Sequence, residues 1–258
     1  MFLWASDATG GFDVTRDLYF VARDVSIDVL DATPTYTYAR VEATVSQEFD
    51  LRDFPFDRQR LILRIEGEDA DAFRLVPDPE GVTLSDYLAP RGWKIDDATL
   101  TSETHRYATG FGYAKPSEAA YSQLVLAIDV TRGRSPVPID DFVGLTFALF
   151  VAGLTFFVPC TEIGLRIGMT TASLFAAVLN INRLHDAVGF RPDFGLVDRV
   201  AFLVLGALLG AIAIVIATHR VARNGDVARA NRLDTILGTL LMTTTLALVL
   251  LAFRPALG

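Results

Sequence analysis

The sequence predicts an antiparallel β-sandwich over residues 1–138, followed by an all-α four-helix transmembrane domain over residues 139–258. Short runs of alternating, β-branched and aromatic residues fill the first half, which is the pattern of half-buried strands. Four stretches, 142–158, 167–182, 200–218 and 235–253, contain no Asp, Glu, Lys or Arg, and each is about as long as a helix needs to cross a hydrocarbon core of roughly 30 Å. Charge divides along the same line. Residues 1–141 hold 25 acidic and 14 basic side chains, a balance of −11, while residues 142–258 hold 6 and 9, a balance of +3. With 51% of its residues apolar, the chain has the composition of one polar domain joined to one membrane domain.

The strands fall in order at residues 18–21, 25–29, 36–45, 61–65 and 123–130. Gly, Pro and Asp clusters such as Asp78, Pro79, Glu80 and Gly81 punctuate them, and these residue types make surface turns between antiparallel strands. There is no internal repeat and no low-complexity tract. Of the four apolar spans, 167–182 is the shortest and the richest in Gly, Ala, Thr, Ser and Asn. A helix of that composition faces protein or water more than lipid, so this span is the candidate pore helix. Arg220, Arg223, Arg229 and Arg232 cluster between the third and fourth spans. The positive-inside rule places that loop in the cytoplasm and both termini outside. The first residues, Met-Phe-Leu-Trp-Ala-Ser-Asp, lack the basic start and long apolar core of a signal peptide. Because an outward domain must be exported, the chain is expected to derive from a longer precursor or to have lost an upstream signal.

Chemistry-bearing residues are few. Cys160 is the single cysteine, and His105, His185 and His219 lie in separate regions. A zinc site or a nucleophile and base pair needs several such groups together, so the chain is not expected to be an enzyme. The histidines read as loop or helix-end residues. No cofactor, metal or nucleic-acid partner is expected.

Within the candidate pore helix, Gly168, Ala172, Phe175, Leu179, Asn182 and Asp186 recur at alternating steps of four and three, which places them on one helical face. Five such faces around an axis would form a pathway. Gly168 and Ala172 would line a wide half, and Phe175 and Leu179 would form apolar rings that close by dewetting. The same spacing also suits ordinary core contacts between helices.

The segment Asp-Leu-Arg-Asp-Phe-Pro-Phe-Asp-Arg-Gln at 50–59 carries proline between two aromatic residues, with aspartate after them. It resembles the signature loop of pentameric ligand-gated ion channels, the Cys-loop receptor superfamily, and in particular its prokaryotic members. The likeness covers roughly residues 18–253. Tyr38, Arg40 and Thr44 precede the loop, Trp93, Lys94 and Ile95 look like the tryptophan-bearing strand that follows, and Gln47 and Leu61 take the places of the two cysteines of animal receptors.

The resemblance implies a homopentamer in a lipid bilayer, namely a multi-pass protein of the bacterial inner membrane. Its N-terminal domain would be periplasmic and gated by a small-molecule agonist or protons. It implies a tip of Phe54, Pro55 and Phe56 meeting the segment 184–198, which holds Pro192. It also implies that Asp57 pairs with Arg132 or Arg134 at the domain boundary. Arg166 would mark the cytoplasmic start of the pore helix. Glu162 and Asp186 near the two mouths favour cations, while Arg166 and Arg183 nearby count against them. Agonist contacts would come from Tyr107, Phe111 and Tyr113 with Glu66 and Glu68, an aromatic and acidic set suited to an organic amine. Equally, those aromatics could pack a hairpin and the acids could be solvated. The family's outer domain is longer at its N-terminus, so the sandwich here is expected to be incomplete. The alternative to a conducting channel is a non-conducting membrane sensor or assembly subunit with the same fold.

Overall fold

In the computed structural model, residues 1–69, 74–85, 92–108, 119–133, 139–189 and 194–257 are described. They form two compact units, one of Met1–Phe49 with Arg58–Gly133 and one of Asp50–Asp57 with Arg134–Gly258. The aromatic loop thus packs with the helices although strands flank it in sequence.

The first unit contains β1 (Phe2–Ser6), a one-turn helix α1 (Val14–Asp17), β2 (Leu18–Phe20), β3 (Arg23–Thr33), β4 (Tyr36–Thr44), β5 (Arg58–Gly67), β6 (Trp93–Tyr107) and β7 (Ala119–Arg132). They make two antiparallel sheets, β1-β4-β3 and β2-β5-β7-β6. Strand alternation sets the core. Thr37, Ala39 and Val41 of β4 point inward, and Ala39 and Val41 share an apolar cluster with Val14, Leu18, Phe20 and Ile65 from the other side. Reciprocal capping closes α1, where the Asp13 carboxylate accepts from the Thr15 amide and the Asp17 carboxylate from the Asp13 amide, both at 2.8 Å. Pro79–Gly81, expected as a turn, is a short 3₁₀ turn. The Gln47 side chain straddles Leu61, accepting from the Ile62 amide at 3.0 Å and donating to the Arg60 carbonyl.

Two elements, β1 and α1, exceed the expected set, and β6 runs far beyond Trp93–Ile95. Residues of β6 such as Asp97, Thr99, Thr101 and Glu103 give no apolar alternation, because most of this strand is exposed or half-exposed. Its existence is fixed by pairing with β7 from Trp93↔Arg132 to Tyr107↔Ala119, with one register shift between Ile95 and Asp97.

The second unit carries α2 (Ile139–Leu154), a 3₁₀ turn (Thr155–Phe157), α3 (Ile163–Val188), α4 (Leu196–Arg223) and α5 (Val227–Leu257). Among the described residues three helices, not four, are long and apolar enough to cross a membrane: α3, α4 and α5. The first expected span is helical to Phe157, the α-helix passing at Leu154 into a 3₁₀ turn that ends ahead of Pro159. The apolar helical run described there, Asp141–Phe157, is shorter than the other three. In contrast, α3 and α5 extend past the charge-free stretches and take Arg166, Asp186 and Asp234 into helix.

Glycine permits two close helix approaches. A Cβ at Gly144 would sit 2.7 Å from the Asn180 Cβ, and one at Gly238 would sit 2.5 Å from the Phe156 ring.

Candidate functional site

The helix α3 is two-faced. Arg166, Thr170, Ser173, Ala177, Asn180, Ile181, Leu184 and Val188 are buried within its unit. Gly168, Ala172, Phe175, Leu179, Asn182 and Asp186, the residues that sequence spacing placed together, are all exposed. Phe175 is 68% and Leu179 69% accessible. The two sets alternate by threes and fours, so one face packs and the other is open. Glu162 is exposed at the N-cap of the helix, and Asp186 is exposed in its last turns. A mean hydropathy of 1.3, against 2.9 for α4 and 2.2 for α5, marks α3 as the least lipid-like of the three.

The buried face of α3 ends in a polar latch. Arg166 is fully buried. Its Nη2 lies 2.5 Å from Asp234 Oδ1 on α5, its Nε donates to the Thr155 carbonyl at 3.2 Å, and its Nη1 donates to Thr218 Oγ1 on α4 at 3.4 Å. The Thr218 hydroxyl lies 3.0 Å from the same Asp234 oxygen. The guanidinium carbon sits 6.0 Å from the centroid of the Phe156 ring, the ring that Gly238 admits one turn along from Asp234. Nearby, the Cys160 thiol donates to Asn231 Oδ1 at 2.9 Å, and His219 Nδ1 meets the Cys160 carbonyl at 3.0 Å. Arg166 lies in the first turn of α3, and its side chain is buried, turned away from the exposed face. Asp234 was missed, yet a signal existed: Arg166 and Asp234 are single opposite charges beside apolar spans, and such charges are stable in a bundle when paired.

At the opposite end of the bundle stands the loop Asp50–Asp57. Two tight turns shape it, the Phe54 amide bonding the Leu51 carbonyl at 3.2 Å and the Phe56 amide the Asp53 carbonyl at 2.8 Å. The Arg52 carbonyl accepts from the Leu196 amide at 2.7 Å, which satisfies one of the unpaired N–H groups at the start of α4. Phe54 is buried in the same apolar cluster as Phe142, Leu145 and Val200. Phe56 packs edge-on against Phe253, which packs edge-on against Phe142, with centroids 5.9 and 5.3 Å apart. Pro55 lies between the two aromatic residues, joined to Phe54 by a cis peptide bond. Asp57 is buried. The Arg52 guanidinium, hydrogen-bonded to Asp50, holds that carboxyl below the usual carboxylate range. Next to the loop, Asp198 accepts from the Gly195 amide at 2.9 Å and meets His185 Nε2 at 3.0 Å. Arg183 donates to the Asp141 carbonyl at 2.7 Å.

In the strand unit, Arg132 lays its guanidinium over the Trp93 ring, 4.3 Å from the centroid. Glu66, 6% accessible, anchors a cluster that the sequence named in part. The Tyr107 hydroxyl donates to Glu66 Oε1 at 2.9 Å, while Gln123 Nε2 and His105 Nδ1 lie 3.0 and 2.8 Å from Oε2. The Tyr107 ring stands 4.2 Å from His105 and 5.5 Å from Tyr121. Burial, then the Glu66 carboxylate, push the Tyr107 phenol above its ordinary value of 10.0. His105 is thus a strand residue rather than a loop residue, whereas His185 lies in the last turn of α3. Glu68 lies past the end of β5, exposed, with its amide on the Asp17 carbonyl. Phe111, Tyr113, Arg134 and Pro192 lie outside the described residues. Among the described residues no three His, Cys, Asp or Glu side chains gather as a metal site. No protein-family model matches the chain, and no curated protein matches it.

Proposed function

We propose that this chain is one subunit of a homopentameric ligand-gated ion channel of a bacterial inner membrane. In this reading it passes cations through a pathway lined by α3 and responds to a small molecule or protons at the strand unit. The observation that carries the proposal is the open face of α3. A helix long enough to span a bilayer leaves Gly168, Ala172, Phe175, Leu179, Asn182 and Asp186 uncovered while its other face is packed. Exposed Asn and Asp in a span point to water or protein rather than lipid, and a ring of five such faces supplies both.

Cation preference follows from where the charges sit. Glu162 and Asp186 are exposed toward the two ends of this helix, whereas Arg166 is withdrawn into a buried pair with Asp234 and Arg183 is tied to the α2 backbone. Carboxylates at the mouths of a pore raise the local concentration of cations. The loop Asp50–Asp57, keyed into the helices through Phe54, Phe56 and the Arg52–Leu196 hydrogen bond, suits the coupling element that such a channel needs. In this reading the Glu66–Tyr107 cluster is the part of the agonist or proton site for which geometry speaks.

The test is the native mass of the purified chain in mild detergent, followed by cation flux into proteoliposomes under candidate amines and at acid pH. A pentamer that conducts is the expected result. A stable monomer or dimer overturns the proposal, and a pentamer silent under every condition replaces it with a non-conducting sensor of the same fold.

A further inference from the structure

The turn that joins α4 to α5 is rich in positive charge. Between His219 and Leu233 stand four arginines, Arg220, Arg223, Arg229 and Arg232, against one carboxylate, Asp226. That carboxylate accepts from the Arg229 amide at 3.0 Å and so serves the start of α5. All four arginines are exposed, and among the described residues none has an ion-pair partner. The mount beneath them is fixed. Ala222 and Ala230 are buried against Cys160. Gly225 closes the turn at a φ of +97°, a value that suits glycine, with its amide on the Ala222 carbonyl at 3.1 Å. Arg220 and Arg223 are three residues apart on one helix, and Arg229 and Arg232 on the other. That spacing sets the Cβ atoms of each pair about 5–6 Å apart, close enough for two guanidinium groups to hold one phosphate.

Where the pairs stand on their helices decides the ligand. On α4 the exposed residues Phe202, Leu209 and Ile216 recur every seven positions, and the next step is Arg223. On α5 Ile236 and Leu240, 55% and 60% accessible, share a face with Arg229 and Arg232. Two outward apolar stripes, on helices long enough to cross a membrane, thus each end in a pair of unpaired arginines. A soluble anion would use the guanidinium groups and leave the stripes bare. An uncharged or zwitterionic lipid would cover the stripes and leave the arginines without a counter-charge. A phospholipid of net negative charge satisfies both, with its chains along the stripes and its phosphate at their end. We infer that the α4–α5 turn is a binding site for the headgroup of an anionic phospholipid, whose acyl chains lie along the exposed faces of the two helices. The inference requires only that α4 and α5 lie in a bilayer, and it stands apart from the pore and agonist readings.

The whole chain, purified in a mild neutral detergent, is titrated with dioleoylphosphatidylglycerol and separately with dioleoylphosphatidylcholine, and bound lipid is counted by native mass spectrometry. An arginine beside anionic lipid contributes about a factor of five, so one pair should favour phosphatidylglycerol about thirtyfold. Replacing all four arginines by glutamine should bring phosphatidylglycerol down to the phosphatidylcholine level and leave phosphatidylcholine binding unchanged. Glycerol phosphate, which has the headgroup charge and no chains, should not displace the bound lipid. Equal affinity of the parent for the two lipids, a preference kept by the fourfold variant, or displacement by glycerol phosphate each overturns the inference. Should the fourfold variant not fold, Arg229→Gln with Arg232→Gln decides in its place: a loss of about fivefold or more is expected for phosphatidylglycerol, and parent-like binding overturns the inference.

Discussion

Asp234→Asn changes one oxygen to an amide nitrogen and leaves Arg166 charged and buried with a neutral partner. Arg166 has 0% and Asp234 4% of its surface accessible, so water does not replace the lost charge. Removing one member of a buried ion pair costs about 3–5 kcal/mol, and retention of the amide oxygen as an acceptor places this substitution near the lower end, about 3 kcal/mol. That is a large fraction of the 5–15 kcal/mol typical of a folded domain. Arg166→Met together with Asp234→Leu removes both charges and keeps apolar bulk, so the double variant should return to within about 2 kcal/mol of the parent. Denaturant titration in mild detergent, read by the helical circular dichroism signal, gives all three values. A loss below about 1 kcal/mol for Asp234→Asn, or a double variant no more stable than the single, would show that the pair is not the latch described here.

Phe175→Ala and Leu179→Ala should raise basal cation leak from proteoliposomes while changing stability by less than about 0.5 kcal/mol, because both side chains are mostly exposed in the single chain; an unchanged leak removes them as the gate. Phe54→Ala empties a buried aromatic site and should cost the helical unit about 3–5 kcal/mol, read as earlier loss of helix signal with denaturant. A near-neutral result would show the loop to be only loosely seated. The Tyr107 phenol should ionise above an ordinary tyrosine in an absorbance titration, and Glu66→Gln should bring it back toward 10. Because this folded-state value is raised, its contribution to stability is complete below about pH 10 and is lost as pH rises through the folded value. An unshifted titration would place Glu66 outside the Tyr107 environment.

Periodicity made the helical half and its open face legible. The three-and-four spacing from Gly168 to Asp186 is a property of one helix, and the fold had only to leave that face uncovered. Alternation likewise identified β4 and the central parts of β5 and β7, whose inward residues, Thr37 apart, are apolar. It failed for β6, whose polar residues are held by pairing with β7 rather than by burial, and for α1, a single turn set by capping. Hydropathy located the first apolar run but is blind to where its helix tightens, here at Leu154, where a 3₁₀ turn carries it on to Phe157. Asp234 lay outside the charge-free stretch by one residue, and only the third dimension brings it to Arg166. Glu66 and Tyr107 were named together for their chemistry. Their meeting with His105 and Gln123 depends on the β5–β7–β6 register, which composition does not carry.

The Gln47 amide clamp around Leu61 bears on how the loop between them survives in different chemical surroundings. A covalent sulfur bridge over a span of this size would contribute about 3 kcal/mol and would require an oxidising compartment to form. Two amide hydrogen bonds contribute about 1–3 kcal/mol and form wherever the chain folds. The loop is therefore closed by a device indifferent to thiol reductants, one that can open and re-form within the folded protein without any exchange chemistry.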